Sequence, residues 1–125
     1  MTGAAGCTSA TLMWDEDFDV GMSAHAFLPD SLEIQVGETV EWVNDGSRSH
    51  TVTAYGAGIP EESAYFASGE FDDEETARAA WWAEDGGALY PGEQYSHTFE
   101  VPGRYWYFCI PHERGGMVGS IEVVE

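Results

Sequence analysis

Over most of its length the chain alternates apolar and polar residues, the pattern of β-strands with one face in a core. In one run Leu32, Ile34 and Val36 alternate with Glu33 and Gln35. Runs bounded by glycine, proline and other turn residues cover residues 11–19, 24–28, 32–36, 39–44, 50–54, 95–100, 104–109 and 118–125. About seven to eight short strands predict an all-β fold, and their spacing is typical of a Greek-key β-sandwich.

Residues 55–94 interrupt this alternation between the two halves of the chain. Within them, apolar residues such as Ala77 and Trp81 recur at helical spacing. Acidic residues cluster at the start of this stretch, where the positive end of a helix dipole favours them. Two consecutive glycines at 86–87 are a stop signal. The sequence therefore predicts one short helix over residues 72–85, in an excursion from the sandwich.

Side-chain alternation sorts the penultimate predicted strand into two faces. Tyr105, Tyr107 and Cys109 share one face, and Trp106 and Phe108 share the other. If the cysteine faces the core, two large aromatic side chains point outward, and an uncovered pair of this kind is a sticky patch. We expect the helix, with its two adjacent tryptophans, to cover this pair. Partner docking is the alternative.

The composition indicates one ordinary domain with a very unequal charge balance. The 125 residues include 23 Asp and Glu against four arginines and no lysine, a formal net charge of -19. A basic face is needed to bind phosphates, so nucleic acid is excluded as a partner. Because the acids are spread along the whole chain, we expect adaptation to concentrated salt. An acidic docking patch for a basic partner is the alternative.

Three side chains with metal-binding chemistry end the penultimate strand or follow it: Cys109, His112 and Met117, spaced C-x2-H-x4-M. A thiolate, an imidazole and a thioether are soft or borderline donors that suit copper far better than calcium or magnesium. A trigonal copper site takes one cysteine, two histidines and a weak axial ligand that is often methionine. The second histidine must come from elsewhere in the chain, and the best candidate is His50.

The alternative interpretation is a buried core cysteine beside an incidental surface histidine, with Met117 filling space. However, Pro111 and the glycines at 115–116 bracket His112, and this is a poor sequence for a core. A metal site is therefore the favoured interpretation.

Cys7 is left alone if Cys109 binds a metal. It lies in Gly-Ala-Ala-Gly-Cys-Thr-Ser, which resembles the end of a lipoprotein signal, where small residues precede a lipidated cysteine. A free thiol at a chain end is the other interpretation. We expect a disordered tail at 1–10, followed by one domain at 11–125. No run of 18 apolar residues exists, so no membrane-spanning segment is predicted.

Several segments match a known family: residues 26–29, 36–44, 50–52, 66–69, 97–99 and 103–123. They cover most of the chain after residue 24, and the C-x2-H-x4-M loop ending in Gly-Met-Val-Gly is their most specific part. With these segments the sequence resembles the small blue copper proteins (cupredoxins) of the plastocyanin, amicyanin and pseudoazurin group. Within that group it is most similar to the halocyanins of salt-loving archaea.

The resemblance implies a cupredoxin-like sandwich with one type 1 copper ion that cycles between Cu(I) and Cu(II). The implied ligands are His50, Cys109, His112 and Met117. The protein would be an electron carrier rather than an enzyme, at the outer face of the cell membrane, with a lipid anchor through Cys7 as one interpretation. The implied partners are membrane-bound or extracytoplasmic redox proteins that make transient contact near His112 of a monomer.

One position departs from the family pattern. Plastocyanin-like proteins commonly have Asn after the first histidine ligand, where it ties the two ligand regions together, and this chain has Thr51. We expect its backbone N–H to reach the Cys109 sulfur, and we expect the changed side chain to alter the contacts that tune the metal. His25 and His97 are not carried over as ligands, and both are expected to be surface or packing residues.

Two other classes of function compete with electron transfer. A copper-storage module without redox duty would favour several open sites rich in Met or His, and this chain offers one closed set of four ligands. A copper enzyme needs further histidines for a second metal and an open position for substrate. The sequence has no His-x-His pair. The electron carrier is therefore favoured, with copper storage as the alternative.

Overall fold

The computed structural model describes residues 18–125 of the chain. The expected tail at 1–10 and nearly all of the expected first strand at 11–19 lie outside the described residues, as does Cys7. The first described strand begins at Val20, immediately after the run that was expected to form it.

Eight strands and one α-helix make up the described part of the chain. The strands are β1 (Val20–Met22), β2 (Phe27–Leu28), β3 (Ser31–Gln35), β4 (Thr39–Val43), β5 (Thr53–Ala54), β6 (Gln94–Thr98), β7 (Gly103–Phe108) and β8 (Val118–Val124). The helix α1 (Glu74–Glu84) lies between β5 and β6, and 3₁₀ helices cover Gly56–Gly58 and Ile110–Gly115. Within residues 18–125, no helix has the length and apolarity needed to cross a bilayer.

The strands form two four-stranded sheets. One sheet has the order β2-β1-β4-β6 and the other has the order β3-β8-β7-β5. Strand β1 runs parallel to β4, and β3 runs parallel to β8, whereas β7 and β8 pair antiparallel over six residues each. The chain therefore crosses repeatedly between the sheets, as in a Greek key. The predicted all-β sandwich with one helix in an excursion is confirmed.

Aromatic side chains fill the space between the two sheets. Trp42 on β4 is fully buried, and its ring meets the ring of Tyr107 edge to face at 5.4 Å between centroids. Phe66 stacks on the same indole at 6.0 Å. Pairs of this kind add about 0.5–1.5 kcal/mol to the burial of their area. Val40 and Trp42 are buried as the alternation predicts, but Val36 is 40% exposed, because β3 ends one residue before it.

Two strands are shorter than the apolar runs that predicted them. The second predicted strand contributes only β2, because the Ser23 N–H donates to the Ala26 carbonyl at 2.9 Å and closes a turn there. The run at 50–54 contributes only β5, since His50 forms an isolated bridge with Leu89 instead. In both places the apolar and polar residues continue to alternate beyond the residues that pair with a neighbouring strand.

The helix α1 has capping contacts at both ends. The carboxylate of Asp73 accepts the Thr76 N–H at 2.7 Å, which satisfies a free donor of the first turn. Asp85 ends the helix in the left-handed conformation, with φ of 60°, and its N–H donates back into the last turn. Gly86 follows because a Cβ there would lie 2.6 Å from the Ala80 Cβ. The helix expected from the sequence is confirmed, including its stop.

The helix covers one of the two outward-facing aromatic residues of β7. Phe108 is fully buried next to Ala77, and it stacks on the Tyr55 ring at 4.3 Å. Trp106 remains 43% exposed and Trp82 is 72% exposed, so the expected cover of both aromatics by both tryptophans is wrong in part. Ala77 faces Phe108, and Trp82 lies about 140° further around the helix, on its solvent side.

Candidate metal centre

A tight loop at the end of β7 brings Cys109 and His112 together. Cys109 precedes the 3₁₀ helix Ile110–Gly115, and its carbonyl accepts the His112 N–H at 3.2 Å. The loop returns at Met117, whose carbonyl accepts the Cys109 N–H at 3.1 Å. Gly116 makes this return with φ of 92°, a conformation that glycine adopts at no steric cost. Backbone hydrogen bonds thus hold the three predicted ligands of this loop beside one another.

His50 reaches the same place from the connection between β4 and β5. His50 and Leu89 exchange backbone hydrogen bonds of 3.1 and 2.7 Å. The Asn44 side-chain amide donates to the carbonyls of Leu89 and Arg48, at 2.7 Å in each case. The imidazole is fully buried. This fixed backbone leaves the His50 ring little freedom.

Within residues 18–125, one group of three metal-binding side chains converges: His50, Cys109 and His112. Cys109 Sγ lies 3.6 Å from His50 Nδ1 and 3.5 Å from His112 Nδ1. A metal in trigonal geometry, with bonds of about 2.3 Å to sulfur and 2.0 Å to imidazole, separates these atoms by about 3.7 Å. The residues present therefore fit a metal ion, and the thiolate and imidazole donors suit copper.

Burial sets the protonation of these groups. Desolvation raises the pKa of Cys109 to about 11, although the backbone of Thr51 acts in the opposite direction. Desolvation and then the neighbouring His112 lower the pKa of His50 to about 4. The pKa of His112 is also lowered, first by burial and then by Arg48 and His25. Both imidazoles are thus neutral near neutral pH, and the thiol proton is the one that a metal must displace.

Thr51 ties the two ligand regions together. Its N–H points at the Cys109 sulfur at 3.4 Å, as the sequence predicts. Its Oγ1 accepts the Ile110 N–H at 2.9 Å and shares a hydrogen bond of 2.9 Å with the Thr53 hydroxyl. For the side chain at this position, the sequence indicated only that an expected Asn is absent. The threonine hydroxyl makes the bridging contact itself.

An ion-pair network joins the loop to α1, and no pattern in the sequence indicated it. Arg78 binds both carboxylate oxygens of Glu113, at 2.8 and 3.2 Å. The Tyr55 hydroxyl donates to the same carboxylate at 2.7 Å, and Arg78 also donates to Glu74 at 2.8 Å. The guanidinium lies 4.3 Å from the centroid of the Phe108 ring. Because Glu113 directly follows the histidine of the loop, α1 braces that histidine.

Met117 is buried in the core, whereas His25 and His97 lie outside the metal-binding group. Met117 is fully buried in the same core cluster as Cys109, and its backbone forms hydrogen bonds with those of Cys109 and His112. His25 is exposed, and His97 stacks on the Phe66 ring at 4.7 Å between centroids. Neither histidine belongs to the converging group. Both are surface or packing residues, as expected.

The sequence is similar to known proteins over most of its length. The model of the family described as "Copper binding proteins, plastocyanin/azurin family" matches residues 16–124. Plastocyanin of Scenedesmus fuscus is 35% identical over 103 residues, which cover 80% of this chain and 88% of that protein. Chloroplastic plastocyanin of Pisum sativum is 35% identical over 98 residues, 78% of this chain, and the match spans 51% of that longer sequence.

The fold is also similar to that of a solved structure. The purple cupredoxin from Nitrosopumilus maritimus superposes with a TM-score of 0.58 and 26% sequence identity. The superposition covers 86% of this chain and 99% of that one. Both the sandwich and the sequence around the converging side chains therefore have counterparts among copper proteins.

Proposed function

This chain belongs to the plastocyanin/azurin family of copper-binding proteins, and on that premise we propose that it carries single electrons through one type 1 copper centre. The proposed ligands are the Cys109 thiolate, the neutral imidazoles of His50 and His112, and the thioether of Met117 as the weak axial ligand. Bound copper supplies the Cu(I)/Cu(II) couple, and the protein supplies a fixed set of donors around it.

The spacing of the converging donor atoms carries this proposal. The two distances from Cys109 Sγ to histidine Nδ1, 3.6 and 3.5 Å, suit a trigonal arrangement around one ion. Two of the three groups are fully buried, so water has little access to them. A closed set of ligands suits electron transfer, whereas substrate chemistry at a metal requires an open position.

The hydrogen bonds around the proposed ligands support a cage that changes little between oxidation states. Thr51 joins the His50 and Cys109 regions through its N–H and its hydroxyl. Arg78 and Tyr55 hold Glu113, the neighbour of His112. Ligands that are fixed by such surroundings keep their geometry when the charge at the centre changes.

His112 is the proposed exit for the electron. It is half-buried, whereas His50 and Cys109 are fully buried, so its imidazole offers the shortest route from the cluster to a partner. Pro111 beside it is half-buried as well. We expect transient contacts at this end with membrane-bound or extracytoplasmic redox proteins, because redox complexes bury little surface and exchange rapidly.

The setting of this activity is part of the same proposal. The net charge of -19 supports work at high salt, where screening reduces self-repulsion. We propose a monomer at the outer face of the cell membrane, with a copper-binding domain that extends over 11–125. The small residues before Cys7 support lipidation as its means of attachment.

A spectroelectrochemical titration of the copper-loaded protein in concentrated salt tests the carrier function. The expected result is a reversible transition that fits one electron per protein and leaves the copper bound through repeated cycles. Met117→Gln should keep the transition and shift its midpoint, since the axial ligand tunes the potential. Loss of copper on reduction, or no reversible transition, would favour the storage alternative.

A further inference from the structure

In the described part of this acidic protein, negatively charged residues are sparse at one end of the molecule. The end that holds His50, Cys109 and His112 is built from four loops, which we call the copper-end loops. They comprise residues 23–26, 46–49, 87–92 and 110–116. Of the 23 acidic residues in the chain, these loops contain only Glu113. Its carboxylate is already held by Arg78 and Tyr55.

The acidic residues that border the copper-end loops are also engaged. Asp45 accepts a hydrogen bond from the Met22 N–H at 3.2 Å. Glu93 accepts one from the Tyr90 N–H at 2.9 Å. Each of these two carboxylates therefore accepts a backbone hydrogen bond from its own neighbourhood.

Two of the four arginines lie exposed in the copper-end loops: Arg48 and Arg114. Within residues 18–125 neither has an ion pair, whereas Arg78 is paired with Glu113 and Arg104 is paired with Glu122. His25 is exposed in the same loops. A guanidinium presents five donors in a rigid fork that matches a carboxylate. The two arginines that form no ion pair within the described residues therefore lie in the same group of loops as His112.

The opposite end of the sandwich has the reverse charge. Strand β7 is about 20 Å long and separates the two ends. At the far end Glu100 and Glu125 line a surface cavity with Val36 and Pro102, and Glu38 belongs to the adjoining turn. Within residues 18–125 the molecule is therefore polarised: Arg48 and Arg114 lie at the proposed electron exit, which has a single acidic residue, and the far end carries several carboxylates beside Arg104.

A surface depression with both charged and apolar lining residues lies beside Arg114. Arg114 lines a surface cavity of about 490 Å³ together with Trp82 and Pro111. Trp82 is 72% exposed, and an exposed aromatic flanked by arginine is the composition of interface centres. A partner side chain can enter this depression while its acidic neighbours reach the guanidinium groups.

We propose that the copper-end loops are a docking surface for a redox protein whose own contact face carries carboxylates, which pair with Arg48 and Arg114 near His112. The inference rests on the proposed electron transfer, since it names the charge of the partner at that exit. In concentrated salt the Debye length falls to about 3 Å at 1 M, so the net charge is screened and only contact pairs of this kind discriminate between partners.

Paramagnetic NMR mapping with a redox-inert trianion, hexacyanochromate(III), tests this surface. The probe is added to ¹⁵N-labelled, Cu(I)-loaded protein at about 0.5 M salt, and its cationic counterpart, hexaamminechromium(III), is used in parallel. The trianion should broaden the amide signals of the copper-end loops, and the trication should broaden those around α1 and Glu100. Arg48→Gln and Arg114→Gln should each weaken the trianion effect about two- to threefold. Arg104→Gln, which removes the same charge at the far end, should leave it unchanged.

Two results would overturn the proposal. One is broadening by the trianion that is uniform over the surface or equal in all three variants. The other is a concentration-dependent shift of the copper-end loops without any probe, which would make a second copy of the chain the occupant. The same titration on metal-free protein gives the surface map independently of copper. If the protein forms no type 1 copper site but the trianion still broadens the signals of the copper-end loops, only the proposed function is refuted.

Discussion

At the scale of single residues, the surroundings of Cys109 oppose the state in which it is proposed to act. Burial holds the thiol protonated, with a pKa of about 11, although a metal ligand must be a thiolate. The Thr51 N–H at 3.4 Å gives the sulfur partial compensation. Cys109 thus presents no reactive thiolate in the metal-free protein, and copper must displace its proton.

Copper affinity should therefore depend on pH with a defined slope. Above the pKa values of both imidazoles and below that of Cys109, the metal-free protein carries one proton that the bound form lacks. Affinity should then rise about tenfold per pH unit over this window. The slope should steepen below the lowered pKa of His112, and again below about pH 4, where His50 takes up a proton as well. Competition with a chelator of known pH dependence measures this, and a flat profile between pH 6 and 9 would contradict the buried thiol.

At the scale of elements, α1 connects a patch of sheet to the ligand loop. Phe108 lies beneath the helix, and Arg78 bridges its aromatic face and the carboxylate of Glu113. The excursion between β5 and β6 is therefore a brace for the residue next to His112. It explains why a helix interrupts an otherwise all-β chain.

Arg78→Met keeps the length of the side chain and removes both ion pairs, so it tests this brace. Arg78 lowers the pKa of Glu113 below its ordinary value of 4.5. The stabilisation is then present at neutral pH and is lost as the pH falls through the lowered pKa of Glu113. At pH 7 the variant should lose about 1 kcal/mol of unfolding free energy, since the pair is partly exposed. The difference from the parent protein should begin to shrink as the pH falls below 4.5, and it should approach zero only below the lowered pKa of Glu113.

Denaturant unfolding at pH 7 and at a pH below the lowered pKa of Glu113 measures this difference in unfolding free energy. Arg104→Met is the matched control, because it breaks the more exposed pair with Glu122 and should cost less than about 0.5 kcal/mol. Release of copper to a chelator should be faster for the Arg78 variant alone. Equal losses in both variants, or a loss that persists at acid pH, would contradict the bracing role.

The sequence predicted those elements whose evidence is local. Alternation placed Val40 and Trp42 in the core, and donor chemistry at fixed spacing identified Cys109 and its loop. The rotation of α1 was not predictable, because it depends on which helix face meets Phe108, which lies 31 residues after Ala77 in the chain. The pair between Arg78 and Glu113 spans 35 residues and follows no period. Contacts of this kind appear only when the sheets are assembled.

At the scale of the whole molecule, the net charge of -19 is spread over a small domain and opposes compaction. The described ion pairs involve only Arg78 and Arg104, so most carboxylates have no cation beside them. The core of aromatic side chains must therefore hold the fold against self-repulsion. Dissolved cations relieve that repulsion by screening.

Thermal stability should consequently rise with salt. Between about 0.1 and 2 M KCl we expect a gain of at least about 1 kcal/mol, or roughly 4 °C in the unfolding midpoint. Sucrose at equal osmolality is the control, because it strengthens burial by exclusion without screening charge. A midpoint that responds equally to both solutes would contradict charge repulsion as the cause.

The most direct test of the central claim is the visible absorption and EPR spectrum of the Cu(II)-loaded protein, compared with Cys109→Ser. A type 1 centre with a cysteine thiolate predicts an intense sulfur-to-copper band and a narrow hyperfine splitting, and the variant should lose both. A pale Cu(II) spectrum that is the same in the parent protein and the variant would contradict the assignment of His50, Cys109, His112 and Met117 as a blue copper site.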